Sequence, residues 1–331
     1  MTIDKSLPTE LGYHSQRAGN VLYVEYAAQI PADLSPYSVI KFKRGIDITY
    51  DLQILSGKDY LAYGDSSLPK PIIRRSNPDL TIESNGVNDA LIADLDLRGG
   101  RRGLSFYSGS NIEILRCHLE GNTAHANAQG IYAKYVNGLK ILQCTSANTQ
   151  GDVIYGTGCS NVNIEYNDFG ATNGAAGDGI EFSHENKAGQ RNSNIIIRNN
   201  IIRTDDLSNS GKGAIVVEGT DGYEISYNDV EGQYFGISLS GTDGEIFENT
   251  VHGQDMVQYP YGFGIGIGTA FPTDNVSIYG NRIFNCNRGV IVSAPNPANP
   301  PLITNIGISN NEFIDCGVDT FVNIPYTGTI E

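Results

Sequence analysis

Short segments that alternate apolar and polar residues recur from about residue 90 to the end of the chain. The clearest copies are Asn194-Ile-Ile-Ile-Arg-Asn-Asn200, Gly222-Tyr-Glu-Ile-Ser-Tyr-Asn228, Asn275-Val-Ser-Ile-Tyr-Gly-Asn281 and Asn305-Ile-Gly-Ile-Ser-Asn-Asn311. Aligned, they make columns. One reads Ile92, Ile114, Ile141, Ile164, Ile197, Ile225, Ile246, Ile278, Ile308. Three residues later the column reads Leu95, Cys117, Cys144, Asn167, Asn200, Asn228, Asn249, Asn281, Asn311, and two further on Leu97, Leu119, Ser146, Phe169, Ile202, Val230, Val251, Ile283, Phe313. Successive copies lie 21 to 33 residues apart. Between them falls a second apolar segment, of which Ile131-Tyr-Ala133, Val153-Ile-Tyr155, Ile180-Glu-Phe182 and Ala214-Ile-Val216 are examples. Short, β-branched segments of period two are strands. Strands this short bury no face alone, but stacked coils share one continuous core.

The pattern predicts an all-β fold, a single-stranded right-handed parallel β-helix with three strands per coil. We call the strands PB1 (the Ile180-Glu-Phe182 type), PB2 (the Ile197 type) and PB3 (the Ile202 type). The Asn column is placed in the PB2–PB3 turn, where asparagine tolerates left-handed backbone and its amide bonds to the next rung. Cys117 and Cys144 occupy two rungs of that column, and Cys286 and Cys316 share an offset. Rungs are about 4.8 Å apart, which leaves bridges geometrically open, and the cysteines are read as free thiols. Residues 1–80 lack the columns and are expected to form irregular N-terminal strands and a cap. Residues 81–331 form the helix, with one domain overall.

Composition narrows the function. The chain of 331 residues has 22 Lys+Arg against 37 Asp+Glu, a net charge of -15, which disfavours a nucleic-acid partner. No apolar stretch reaches the roughly 20 residues of a membrane span, so no membrane insertion is expected. The opening residues Met1-Thr-Ile-Asp-Lys-Ser-Leu7 lack the apolar core of a signal peptide. Five cysteines without a CxxC pair argue against structural zinc.

Over residues 90–316 the Asn column and its N-I-x-I-x-x-N repeat resemble the pectate-lyase-like β-helix superfamily. That group includes polysaccharide lyases, mannuronan epimerases, polygalacturonase-like hydrolases, phage tailspikes and adhesins, and fold alone does not choose among them. The resemblance implies a sugar-binding groove along PB1. It also implies an extracellular or cell-surface location, with a phage particle as the alternative, and a monomer or trimer.

Loop lengths point to the same face. Inserts at His184–Ser193, Asp205–Lys212, Gln254–Phe263 and Ala294–Thr304 all flank PB1, and variable loops on a rigid scaffold carry function. The outward PB1 positions read Ser105, Tyr107, Tyr132, Lys134, Ile154, Glu181, Ser183, Ile215, Val217, Ser238 and Ser240. Arg101-Arg102, Asp152, Asp178, Asp205-Asp206 and Lys212 stand just before PB1, and Tyr135, His184 and Glu218 just after it. The segment Gly177-Asp-Gly-Ile-Glu-Phe-Ser-His-Glu185 combines an acid at the entrance, an outward acid and a histidine at the exit, the acid–base types that sugar chemistry uses. It resembles the Tyr-Gly-Phe-Asp-Pro-His-Glu motif of mannuronan epimerases and related alginate lyases. Glu181 would match the Asp and His184 the His, with one residue too many between them, and Glu218 falls near the second acidic position. Asp178 replaces the catalytic Tyr, for which Tyr132 or Tyr135 would substitute. The segment is also similar to the polygalacturonase pattern N-T-D-G-I-D followed by G-D-D, with Asp178 and Asp205-Asp206 in place. The later Gly-His-Gly and Arg-Ile-Lys motifs are missing.

The expected catalytic residues are therefore Asp178, Glu181, His184 and Tyr132. The expected substrate-binding residues are Lys134, Arg102, Asp152, Asp205, Asp206, Lys212, Glu218 and Tyr234. Either no cofactor is needed, or Ca²⁺ is held by Asp178, Glu181 and Asp205, since it prefers carboxylate oxygens. The expected activity is β-elimination or C5 epimerisation of a uronate-containing polysaccharide. The alternatives are hydrolysis by paired Asp residues and non-catalytic glycan binding through Tyr132, Tyr135, Tyr234, Tyr259 and Tyr261.

Overall fold

The computed structural model describes residues 17–77, 79–121, 128–170, 177–184, 191–203, 213–232, 234–253, 262–268, 271–293 and 302–331. Asp205, Asp206, Lys212, Tyr259 and Tyr261 lie outside the described residues, as does most of each of the four inserts.

The strands of the described residues pair in parallel, in sheets of 18 and 11 strands. The larger sheet carries PB1 and PB2, and the smaller one carries PB3. PB1 and PB2 merge because in four coils, Arg102–Leu115, Gln129–Leu142, Gly213–Ser226 and Phe235–Phe247, one strand runs through the corner. The molecule is a parallel β-helix of three-strand coils, and its only helical segment among the described residues is a single 3-10 turn at Ala27–Gln29.

The columns of the sequence are columns in space. Ile92, Ile114, Ile141, Ile164, Ile197, Ile225, Ile246, Ile278 and Ile308 pair in register from coil to coil and are buried. The PB3 column from Leu97 to Phe313 pairs likewise. It reaches back to Ile73 and Ile48, further than the repeat is visible in the sequence. Burying an aliphatic side chain contributes roughly 1.5–3 kcal/mol, so these piles make one core running the length of the solenoid.

The Asn column forms a continuous hydrogen-bonded ladder. Asn200 donates its side-chain amide to Asn228 Oδ1 at 2.9 Å and to the Ile164 carbonyl at 2.9 Å, and its backbone N–H reaches the same Asn228 oxygen at 3.0 Å. The pattern repeats from Asn228 to Asn249, Asn249 to Asn281 and Asn281 to Asn311. One detail of the expectation is corrected. The left-handed backbone belongs to the residue before each ladder position, at Tyr166, Asn199, Tyr227, Glu248 and Asn310, with φ between 54° and 59°. The turn thus tolerates Tyr and Glu facing solvent, while asparagine is required one step later for its inward amide. Cys117, Cys144, Cys159, Cys286 and Cys316 are all free.

Candidate functional site

The outward PB1 column is set by strand register. Ser105, Tyr132, Tyr155, Glu181, Val216, Ser238, Gly266 and Ile291 lie side by side on successive coils. This corrects three of the expected positions. Ile154, Ile215 and Val217 point into the core and are fully buried, and Tyr155 and Val216 take the outward places. The segments Val153-Ile-Tyr155 and Ala214-Ile-Val-Val217 are nearly continuous apolar runs, so period two could not set their phase. Gly156 carried a signal for Tyr155. It faces inward, and a Cβ there would lie 2.2 Å from the Phe182 ring, so the bare position must sit over Phe182 and its neighbour must face out.

Aromatic rings and charges converge on four consecutive coils. Tyr132 and Tyr155 stack with centroids 5.5 Å apart and planes within 6°. The Arg102 guanidinium lies 3.4 Å from the centroid of the Tyr132 ring, a cation–π arrangement. Arg102 Nε donates to Gln129 Oε1 at 3.2 Å, and Gln129 Nε2 donates to Asp152 Oδ2 at 3.2 Å. Gln129, which sequence reasoning overlooked, therefore ties the cation to the acid on the next coil. Burial and the nearby Glu181 carboxylate push the Tyr155 phenol up to about 12, with a hydrogen bond from Ser183 pulling the other way.

Asp152, Asp178 and Glu181 each offer a carboxylate oxygen within 4.8 Å of the others. Asp152 and Asp178 are 5% and 1% exposed. Asp178 N–H donates to Asp152 Oδ1 at 2.9 Å, and Gly213 N–H donates to Asp178 Oδ1. These two acids thus stitch the PB1 entrance from coil to coil, much as the asparagines stitch the other corner. Glu181, half-buried, is the member that faces outward. A set of three hard carboxylate oxygens suits Ca²⁺; Asp152 joins the expected Asp178 and Glu181, and Asp205 lies outside the described residues.

The other expected residues are more scattered. Lys134 is 9% exposed and packs between Tyr107 and Tyr135, its Nζ 5.4 and 5.1 Å from their centroids. Glu218 lies within the strand Gly213–Ser226, just past its PB1 part, and is half-buried. Tyr234 stands near the PB1 entrance two coils beyond Asp178, edge-on to Phe235 and Phe263. His184 leaves the strand Ile180–Ser183 at the end opposite Asp178. Its ring lies edge-on to Phe271, centroids 4.9 Å apart, with its Cβ against Gly219. The structure thus gathers Arg102, Tyr132, Asp152, Asp178 and Glu181, adds Tyr155, and sets His184 and Tyr234 to either side.

A second group, Asp96, His118 and Glu120, lies on the PB3 face. Arg98 answers its acids, with Nη2 2.6 Å from Asp96 and Nη1 2.7 Å from Glu120, so that group reads as an ion-pair network.

Comparisons with known proteins agree with this architecture. No curated protein matches the chain. Among solved structures, an alginate lyase from Paenibacillus sp. str. FPU-7 superposes with a TM-score of 0.61 at 13% identity, covering 93% of this chain and 99% of that one. The catalytic domain of a GH87 α-1,3-glucanase gives 0.56 at 12% identity over 90% of this chain and 64% of that one. The Streptococcus pneumoniae surface protein and adhesin PfbA gives 0.52 at 12% identity over 87% and 92%. At such identities the likeness is one of fold. The family model for the right-handed β-helix region matches residues 72–206 and 191–324. Those matches span well over half of the chain, and the protein belongs to the right-handed β-helix family.

Proposed function

We propose that the chain acts on a uronate-containing polysaccharide, by β-elimination or C5 epimerisation, in a groove along PB1. The observation that carries this reading is the Tyr132–Tyr155–Glu181 column with Arg102 stacked upon it. Removing the proton beside a uronate carboxylate requires that the carboxylate be neutralised, and fixed cations or hydrogen-bond donors do this without reorganisation. Arg102 and Lys134 supply the positive charge. Tyr132 or His184 takes the proton. Tyr155, protonated at neutral pH like any ordinary phenol, serves as donor to the departing glycosidic oxygen. Flat tyrosine faces also suit sugar rings. Ca²⁺ held by Asp152, Asp178 and Glu181 would lend a further positive charge to the substrate carboxylate, against the net -15 of the chain. The same reading places the protein outside the cell, at a cell surface or on a phage particle, as a monomer or trimer.

Hydrolysis is the second reading. The carboxylates within 4.8 Å of one another approach the separation of about 5–5.5 Å that a retaining pair uses. Against it, Asp152 and Asp178 are nearly sealed and accept backbone N–H groups.

Incubation with alginate, polygalacturonate and neutral glycans tests both. New absorbance from unsaturated uronates supports elimination, and a changed C5 configuration without cleavage supports epimerisation. Reducing ends alone support hydrolysis. Sugar binding with no product on any substrate overturns the enzymatic reading in favour of an adhesin-like module.

A further inference from the structure

Cys286 and Cys316 stand on consecutive coils at one register. Phe284 pairs with Ile314, and each cysteine follows two residues later. Gly317 N–H donates to the Cys286 carbonyl at 3.0 Å, which keeps the two coils in step around the pair. In-register rungs lie about 4.8 Å apart, inside the Cα separation of about 4.4–6.8 Å that a disulfide spans. Gly253, on the preceding coil, leaves room for the Cys286 sulfur, since a Cβ there would lie 2.4 Å from Sγ. Cys286 is buried and Cys316 partly exposed.

Cys117 and Cys144 provide an internal contrast. They also follow each other on consecutive coils, but both are fully buried. Their thiols contact the Ile92 and Ile114 carbonyls, each at 3.6 Å, as Cys316 contacts the Ile283 carbonyl at 3.5 Å, so burial is what separates the two pairs. A reagent in solvent has no access to that pair, whereas it can reach Cys316.

We propose that Cys286 and Cys316 form a thiol–disulfide exchange site that takes a small exogenous disulfide, such as oxidised glutathione, and closes into a covalent clamp between the last two PB3 strands. Cys316, as thiolate, attacks one glutathione sulfur. The glutathione S–S bond breaks, a mixed disulfide forms on Cys316, and the first glutathione leaves as thiolate and takes up a proton. Cys286 then loses its proton and attacks Cys316 Sγ. The protein disulfide forms and the second glutathione leaves as thiol. Two protein S–H bonds and one S–S bond are broken, and one S–S and two S–H bonds are made. The protein is oxidised by two electrons and glutathione is reduced by two. The hydrogen bond from Cys286 lowers the Cys316 thiol to about 7 despite partial burial, while the same contact and burial raise Cys286. Thiolate is the attacking form. Of the two strands the clamp would join, Arg282–Phe284 and Glu312–Ile314, the second is the more exposed.

The test uses the folded full chain and oxidised glutathione. The expected result is loss of two of the five thiols, a mass lower by two hydrogens with no retained glutathione, and a linked Cys286–Cys316 peptide. Reductant restores all five, and the oxidised form has the higher unfolding temperature. Cys286→Ser should stop at a stable glutathione adduct on Cys316, and Cys316→Ser should keep its remaining thiols. Five thiols surviving in the wild-type chain would overturn the proposal, as would a lasting glutathione adduct there or consumption of Cys117 or Cys144. These readouts need no variant to fold, and they stand apart from any activity on sugars.

Discussion

Two stacks of side chains run along the same solenoid with opposite characters. At the PB2–PB3 corner, Asn167 to Asn311 repeat one residue and one hydrogen-bond pattern over six coils. On PB1 the outward column changes at nearly every step, from Tyr132 and Tyr155 to Glu181, then Val216, Ser238 and Gly266. The backbone is equally regular in both. The difference is what each position faces. A buried amide must be satisfied, and an asparagine that bonds up, down and across is one of few solutions. An outward side chain is under no such demand, so its identity is available for chemistry. The cluster of arginine, tyrosines and acids lies on the coils Arg102–Glu181; the next coils carry Val216, Ser238, Gly266 and Ile291, and the column then reaches Phe321, with the Arg288 guanidinium 4.0 Å from its ring centroid.

The sharpest way to break this contrast is at Tyr132. Tyr132→Phe removes one hydroxyl and keeps the stack on Tyr155. It should cut turnover on the preferred uronate polymer by on the order of 10²–10⁴-fold, with an unchanged unfolding midpoint. Full turnover would remove Tyr132 from the mechanism. The ladder should behave in the reverse manner. Asn228→Ala takes one hydrogen-bond partner each from the Ile197 carbonyl, the Asn200 side-chain amide and the Asn200 backbone N–H. Each lost buried partner costs about 1–3 kcal/mol, so denaturant titration should show a loss of about 3 kcal/mol, while turnover per folded molecule stays the same.

Asp178 sits between the two behaviours, and Asp178→Asn separates them. The amide oxygen still accepts from Gly213 N–H, so stability should hold. Calcium titration should show affinity weaker by about tenfold, because one charged ligand is lost. Unaltered affinity would take Asp178 out of any ion site. The smallest effect is expected on the PB3 face. His252 and Arg203, hydrogen-bonded to Asp229, hold its carboxyl down to about 2 against the opposing effect of burial, below its ordinary value of about 3.9. A depressed carboxylate stabilises the fold above its unfolded value and loses that contribution as pH falls through its folded one. Wild-type stability should therefore drop by about 1 kcal/mol between about pH 4 and pH 2 at this site, and Asp229→Asn should lack that step in acid-unfolding curves.

Much of this was legible in the chain. The Ile and Asn columns, the parallel coils and the crowding of Tyr132, Asp152, Asp178 and Glu181 onto one wall all follow from aligning the repeats. Alternation could not phase Tyr155 and Val216, because Val153-Ile-Tyr155 and Ala214-Ile-Val-Val217 are apolar throughout, and for Tyr155 the adjacent Gly156 was the one remaining mark. Gln129 was also hidden. Its importance comes from spanning Arg102 and Asp152, residues of two different coils.

The sequence by itself determined the solenoid, since a buried core and a buried amide ladder demand the same residue types at every turn and leave a periodic trace. Only the tertiary structure decided which side chains touch on the outer wall. Stacking there depends on the phase of each short strand and on loops of unequal length between coils, and neither obeys a repeat. That is why Arg102 upon Tyr132, Tyr155 beside Glu181, and Cys286 under a half-exposed Cys316 become visible only when the coils are laid one on another.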